Sequence, residues 1–285
     1  MKLSDELNDM QEAVLLCIST IRDGITLALD SEYKDNAIFR QTLRRLAHYQ
    51  SSRSATISFL ISHGKIWDAE IILRSFFEAN IKIWYLCTLE GDEQAKALRE
   101  FNETFSSVKA NKRKHKTEVA IEVAKKSGST FDENLLRNVG DETVFGVAEG
   151  NRKERKKVER NWSFSELLGA LVKSDNQLLD FKYIRALEYQ YSMQSHLIHA
   201  DIVALDTITD QYNRSLSQIT ALNCAHVSRM FSDQVVIWRI TSIALWGNLN
   251  SNNPNTEKEA NAVKDALELS ERFSEVFELS QQVDG

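Results

Sequence analysis

Residues 65–89 decide the fold, and they read KIWDAEIILRSFFEANIKIWYLCTL. If this stretch is a helix, apolar side chains occupy nearly every face of it. A helix of that kind is buried by neighbours on several sides rather than on one. The sequence therefore predicts that residues 65–89 form the central helix of a helical bundle, preceded by a break at Gly64.

Composition and periodicity extend this prediction to the rest of the chain. Only one proline and ten glycines occur in 285 residues, which disfavours turn-rich β folds and glycine-loop nucleotide folds. Apolar residues at helical spacing predict further helices on both sides of the central one. We predict an all-α, multi-helix bundle in a single domain. The predicted helices cover about 5–29, 36–63, 95–126, 183–209, 216–245 and 256–281, and a further helix begins at about residue 163.

The middle of the chain, residues 95–161, differs in character from the parts before it (1–94) and after it (162–285). Between Lys109 and Arg160 the formal charge is +5, whereas the remainder of the chain carries −11. Five of the ten glycines lie between 91 and 150, which predicts a basic, partly irregular and exposed insertion. Its basic runs are either a solvated surface or a patch that contacts phosphates. The candidate nucleic-acid-binding residues are Lys112, Arg113, Lys114, Lys116, Arg152, Lys153, Arg155, Lys156 and Lys157.

Two of the predicted helices carry a stripe of polar residues. At 100° per residue, each stripe falls within a sector of about 80°. The first stripe is His63, Glu70, Arg74 and Glu78, and the second is Arg185, Tyr189, Ser192, His196 and His199. Two interpretations stay open: an internal salt-bridge network that holds the helices in register, or a polar pocket between them. Either interpretation predicts that Arg74 and Glu78 are largely buried and that Arg74 lies within reach of a carboxylate. The candidate catalytic residues are Arg74, Glu78, Ser192, His196 and His199.

Several classes of protein are disfavoured by what the sequence lacks. It contains no GxxxxGK[ST], GxGxxG, HExxH or GxSxG motif, and no Glu stands three residues before a His. We therefore predict no cofactor and no metal. Three dispersed cysteines, no apolar leader and no long uncharged stretch predict a cytoplasmic protein that does not span a membrane.

Two segments resemble a known family. The run from His63 to Ala79 resembles the leucine-arginine-serine-hydrophobic-hydrophobic-glutamate helix of a bacterial family, domain of unknown function 5677. Tyr189, Ser192 and the run His199-Ala200-Asp201 are similar to a second element of that family. The resemblance covers about residues 36–245 and implies a helical protein without an assigned activity.

A more distant similarity is to the helical bundles of HEPN nucleases, which are found in toxin and antiphage systems. This similarity implies RNA cleavage without a metal, by an Arg and a His that are separated by four to six intervening residues at a dimer interface. The sequence departs from that pattern, because no arginine stands five to seven residues before His196 or His199.

Two functions therefore remain open. The first is a non-catalytic interaction protein with a polar Arg/Glu/Ser/His pocket, and the alternative is a HEPN-like, metal-independent RNase or RNA-binding effector in stress or antiphage defence. We also predict a homodimer, with RNA or a protein as a further partner. The C-terminal helix presents an apolar face that a second copy would cover, formed by Val263, Leu267, Phe273, Val276 and Phe277.

Overall fold

The computed structural model of the chain describes residues 3–31, 36–128, 152–174 and 184–283. These ranges are almost entirely helical and contain no β-strand, so the predicted all-α bundle is confirmed. The helices are α1 (Leu3–Ser31), α2 (Ala37–Ser62), α3 (Ile66–Thr88), α4 (Gly91–Arg99), α5 (Ser106–Lys126), α6 (Arg152–Asn161), α7 (Phe164–Lys173), α8 (Ala186–His199), α9 (Ile202–Tyr212), α10 (Leu216–Asn248) and α11 (Thr256–Val283). A π-helical segment, Glu100–Phe105, joins α4 to α5.

The chain divides into two compact units. The larger one combines Met1–Thr88 with Leu168–Gly285, and the smaller one is Leu89–Leu167. The predicted boundaries at 94 and 161 lie near these limits, and the single-domain organisation stays a prediction.

Helix α3 lies at the centre of the larger unit. Helices α2, α8 and α10 pack against it, and its Leu73 and Phe76 are fully buried. Trp84 donates through Nε1 to Oγ1 of Thr241 on α10 over 2.9 Å, and that hydroxyl donates to Oδ1 of Asn80 over 2.7 Å. The prediction that α3 is buried on several sides is confirmed.

The turn between α2 and α3 explains why α2 ends before Gly64 and why α3 begins as a separate helix. The Lys65 N–H donates to the Leu60 carbonyl over 2.8 Å, and the Gly64 N–H donates to the Ile61 carbonyl over 2.9 Å. This pattern is a Schellman cap, which requires a left-handed residue just after the helix. Gly64 has φ +67° and adopts this conformation without a steric penalty.

The sequence suggested that a second copy covers the apolar face of the C-terminal helix, α11, and the packing of α11 does not support that reason for an oligomer. It packs against α1 and α10 of the same chain, and its Ala266 and Phe273 are buried while Val263 and Leu267 are half-buried. The Ser228 hydroxyl on α10 donates to the Ser270 carbonyl over 2.7 Å. The apolar stripe is therefore covered largely by the chain itself, because periodicity identifies a buried face without identifying what buries it. The side chains of Val276 and Phe277 lie outside the described residues.

The smaller unit is held together by a polar and aromatic cluster. Phe101 and Phe105 stack with ring centroids 6.0 Å apart, and the Trp162 ring lies 4.7 Å from Phe101. Glu100 accepts hydrogen bonds from Trp162 Nε1 over 2.9 Å and from Asn161 Nδ2 over 3.2 Å. Most side chains of α5 and α6 are exposed, as predicted for the basic segment, while residues 129–151 of that segment lie outside the described residues.

Candidate functional site

A cavity of about 400 Å³ opens within the larger unit. Residues of α3, α8, α9 and α10 line it. Four of the lining residues are bonded to one another, with Glu70 accepting from Gln194, His226 and Arg229. His196 lines the same cavity. A cavity of this size with convergent polar groups is the usual setting of a small-ligand or catalytic site.

Glu70 on α3 is the central anion of this cavity. Its side chain is 4% exposed, and it accepts hydrogen bonds from His226 Nδ1 over 2.8 Å and from Gln194 Nε2 over 3.2 Å. Arg229 Nη2 forms an ion pair with the same carboxylate. Burial raises the pKa of Glu70, but the hydrogen bonds and charges of His226 and Arg229 outweigh burial and hold the pKa below its ordinary value. Glu70 is therefore an ionised, fully bonded carboxylate.

Arg229 links Glu70 to a second acid. Its Nη1 lies 2.8 Å from Oδ2 of Asp233, one turn further along α10. Burial and the nearby charge of Glu70 raise the pKa of Asp233 to about 6, although Arg229 acts in the opposite direction. The two acids thus share one arginine, and their pKa values are driven apart, a pattern that is typical of functional sites.

His196 on α8 lines the same cavity and is also held by a carboxylate. Its Nδ1 lies 2.5 Å from Oδ2 of Asp201, and this hydrogen bond lowers the pKa of Asp201. The other Asp201 oxygen accepts the N–H groups of Val203 and Ala204 over 3.1 and 3.3 Å and so caps α9. The sharp turn between α8 and α9 places Ala200 at φ +47°. One carboxylate therefore positions both an imidazole and a helix.

The two imidazoles of the cavity have equivalent bonding. In the described part of the chain, His196 and His226 each use Nδ1 to bond a carboxylate, and Nε2 is the nitrogen left for a ligand. When such an imidazole is neutral, a carboxylate on Nδ1 favours the tautomer that carries its lone pair on Nε2. The Trp67 ring stands edge-on to His226, with the centroids 4.9 Å apart, and limits its rotation. The site thus contains two oriented groups that can accept or donate a proton.

Arg74 and Glu78 form a separate network with Tyr191 on α8. Arg74 Nη2 donates to the Tyr191 hydroxyl over 2.9 Å, and that hydroxyl donates to Glu78 Oε1 over 2.8 Å. The Arg74 guanidinium lies over the Tyr191 ring at 4.3 Å, and its Nε is 3.5 Å from Glu78 Oε1. Burial, together with Glu78, raises the pKa of Tyr191 to about 12. The prediction that Arg74 reaches a carboxylate is confirmed, and the Arg74 side chain is 18% exposed. The predicted burial of Glu78 is wrong, because its side chain is 38% exposed.

The structure does not bring all five predicted catalytic residues together. Of the five, His196 lines the cavity, whereas Arg74 and Glu78 belong to the Tyr191 network. Ser192 and His199 are exposed on α8. The side chains of α8 that bond to α3 are Tyr191 and Gln194. Neither belongs to the predicted polar stripe, so α8 is rotated about its axis relative to the prediction. The catalytic roles themselves stay predictions.

Sequence reasoning missed the cavity residues His226 and Arg229 of α10, and with them Asp233, which bonds to Arg229. The three residues follow the spacing i, i+3, i+7, which places them on one face of the helix. This is the same signal that identified Arg74 and Glu78 on α3.

The predicted nucleic-acid-binding residues all lie on α5 and α6 of the smaller unit. All of them are exposed except Arg155, which is half-buried. Glu159 Oε2 lies 2.6 Å from Lys112 Nζ, and Glu159 Oε1 lies 3.1 Å from Lys109 Nζ. One member of the predicted set, Lys112, is therefore held in an ion pair between α5 and α6.

Within the ranges that the structure describes, no group of three or more His, Cys, Asp or Glu side chains is arranged to hold a metal ion. None of the helices in those ranges has the length and apolar content needed to cross a bilayer. The three cysteines are free and buried, and burial raises the pKa of the Cys224 thiol to about 11.

Comparison with known proteins identifies the family. A family model described as a family of unknown function (DUF5677) matches residues 42–239, a range that includes α3, α8, α9 and the cavity residues of α10. The chain belongs to this family. No curated protein matches it, and no solved structure does. The predicted family is thus confirmed, and the similarity to HEPN bundles stays a prediction.

Proposed function

We propose that this DUF5677 chain is an acid–base enzyme that cleaves RNA without a metal cofactor, and that its active site is the cavity between α3, α8, α9 and α10. The observation that carries the proposal is the pair of imidazoles, His196 and His226, each held at Nδ1 by a carboxylate at one cavity. Arg214 and Arg229 line the same cavity and are the cations nearest to a phosphate bound there, and each is held by an ion pair, Arg214 with Asp210 and Arg229 with Glu70 and Asp233.

RNA is the substrate that this set of groups suits best, because RNA carries its own nucleophile. One imidazole accepts the proton of the ribose 2′-hydroxyl, and the 2′-oxygen forms a bond to the adjacent phosphorus. The bond from phosphorus to the 5′-oxygen breaks, and the other imidazole, in its protonated form, donates its proton to that leaving oxygen. The products are a 2′,3′-cyclic phosphate end and a 5′-hydroxyl end, and no metal takes part.

The experiment is cleavage of an end-labelled single-stranded RNA by the full chain in excess EDTA. His196→Ala and His226→Ala each remove one proton-transfer group, so each is expected to lower the rate by roughly a hundredfold or more. His115→Ala is the matched control, because His115 is exposed on α5 in the other unit. A DNA strand of the same sequence lacks the 2′-hydroxyl and is expected to stay intact.

Two results would overturn the proposal. If the wild-type chain leaves RNA intact, the cavity does not catalyse this reaction. If the cavity variants cleave as fast as wild type and His115→Ala, the activity comes from elsewhere.

The second candidate function, a homodimeric interaction protein, is favoured by the outer face of α9. Large apolar side chains are exposed there at spacings of three and four residues: Ile202 at 68%, Leu205 at 52%, Ile208 at 39%, Tyr212 at 85% and Leu216, just beyond, at 80%. An antiparallel pair of α9 helices from two copies would cover them.

Light scattering tests this second candidate. Wild type is expected at twice 32.6 kDa, and Ile208→Asp is expected at the monomer mass. Val123→Asp is the matched control, since Val123 is 59% exposed on α5. A wild-type mass near 33 kDa over a hundredfold dilution series would refute the dimer.

A further inference from the structure

Helix α6 presents a row of cations on its outer side. Arg152, Lys156 and Arg160 are spaced i, i+4, i+8, and Lys153 and Lys157 lie beside them, all with exposed side chains. On a helix these five residues fall within a sector of about 140°, and each step of four residues advances by about 6 Å. That step is close to the rise of two phosphates along one strand of a duplex, about 6.8 Å.

Among the residues that the structure describes, little negative charge offsets this row. Of the two acids on α6, Glu159 is half-buried and bound by Lys109 and Lys112 of α5. The other is Glu154, which is exposed. Arg160 has an acidic neighbour, Glu166, whose Oε1 is 3.5 Å from its Nε. The outer face of α6 therefore keeps a net positive charge.

We propose that this outer face of α6 binds the phosphate backbone of a duplex nucleic acid without reading its bases. The absence of aromatic residues from α6 argues against base stacking, so contacts to a backbone remain. The only aliphatic side chain of α6 is Val158, which is half-buried. A helix that inserts into a membrane surface needs an apolar face, and α6 has none to offer.

The probe is a labelled 20-base-pair DNA duplex, with binding to the full chain followed by fluorescence anisotropy. DNA has no 2′-hydroxyl, so this measurement is independent of the RNA cleavage proposed above. With four to five phosphates contacted, the affinity is expected to fall roughly 100- to 500-fold between 50 and 200 mM salt.

Paired charge reversals locate the surface. Lys156→Glu with Lys157→Glu is expected to weaken binding roughly 50-fold at 0.1 M salt, because two phosphate contacts are lost. The control, Lys258→Glu with Lys264→Glu, makes the same change in net charge at exposed positions of α11, and its affinity is expected to stay within about threefold of wild type. All four sites are exposed, and circular dichroism confirms that both variants fold.

Three outcomes would overturn the proposal. Equal losses in the two variants would mean that net charge, and not α6, attracts the duplex. Affinity that does not depend on salt would mean that phosphates are not the contacts. Binding to phosphatidylserine vesicles without binding to the duplex would identify a membrane surface instead.

Discussion

Replacing Glu70 tests the energetics of the cavity most directly. In Glu70→Ala, His226, Gln194 and Arg229 lose their common acceptor, and Arg229 keeps Asp233. Breaking a buried ion pair by removing one partner costs about 3–5 kcal/mol of unfolding free energy. Glu70 is almost fully buried, so this range applies with little screening.

The isosteric change Glu70→Gln has a smaller expected cost, for a reason that lies in Gln194. The Oε1 atom of Gln194 is buried and has no hydrogen-bond partner in the described part of the chain, while its Nε2 donates to Glu70. If the side-chain amide of Gln194 rotates by about 180° in Glu70→Gln, its Oε1 accepts a hydrogen bond from the side-chain NH2 group at position 70. The network then loses charge but no hydrogen bond, at a cost of about 1–3 kcal/mol.

The pH dependence has a definite sign. Because the folded pKa of Glu70 lies below its ordinary value of 4.5, its ionisation stabilises the fold fully above pH 4.5, and this stabilisation is lost as the pH falls through the folded pKa. The stability difference between wild type and Glu70→Gln is therefore largest at neutral pH and shrinks in acid. Removing the charge of Glu70 is also expected to lower the pKa of Asp233 from about 6.

Urea unfolding at several pH values measures the difference in stability between wild type and Glu70→Gln. NMR titration of the Asp233 carboxyl measures its pKa in both proteins. Two results would refute the reasoning. One is a Glu70→Ala cost below about 1 kcal/mol, which would mean that the cluster is not bonded as described. The other is an Asp233 pKa that stays near 6 in Glu70→Gln.

The remaining predictions concern four other positions. Asp201→Ser keeps an N-cap for α9 but removes the carboxylate from His196, so the RNA cleavage rate is expected to fall roughly 10- to 100-fold while the far-ultraviolet spectrum is unchanged. Gly24→Ala would place a Cβ 2.3 Å from Oε1 of the buried Glu259, and thermal unfolding should show a loss of about 1–3 kcal/mol. Tyr191→Phe removes the hydroxyl between Arg74 and Glu78 but keeps the ring under the guanidinium, with an expected loss of about 1 kcal/mol in urea. Asp233→Asn should gain stability relative to wild type as the pH rises from about 4 to about 6, because ionising Asp233 opposes folding over that interval.

The fold was predictable because its central helix is unusual. Apolar residues on nearly every face of α3 require neighbours on several sides, and in a chain whose few prolines and glycines disfavour β folds, other helices provide them. The ion pair of Arg74 was predictable for the same reason, since a charge on such a helix has to find a partner. Both predictions follow from burial alone and need no knowledge of the partner.

Burial alone did not allow a prediction of which side of α8 faces α3. Its sequence, ALEYQYSMQSHLIH, carries polar residues on every face, so no apolar stripe fixes which side meets α3. The structure selects Tyr191 and Gln194, whose groups complement Arg74, Glu78 and Glu70 on the opposing helix. Such complementarity depends on the side chains of two helices together. The periodicity of a sequence describes a single helix, so it does not show which groups on another helix will bond to it.

The two candidate functions converge on a single carboxylate. Asp201 holds the imidazole of His196 through one oxygen and caps α9 through the other. The inner side of α9 contributes Ala204 and Thr207 to the cavity, and its outer side carries the exposed apolar residues Leu205 and Ile208. A second copy that binds the outer side fixes α9, and with it Asp201 and the orientation of His196. If both proposals hold, Ile208→Asp should therefore lower the RNA cleavage rate as well as the mass, although Ile208 itself does not line the cavity. A monomeric Ile208→Asp variant with the full wild-type rate would separate the two functions.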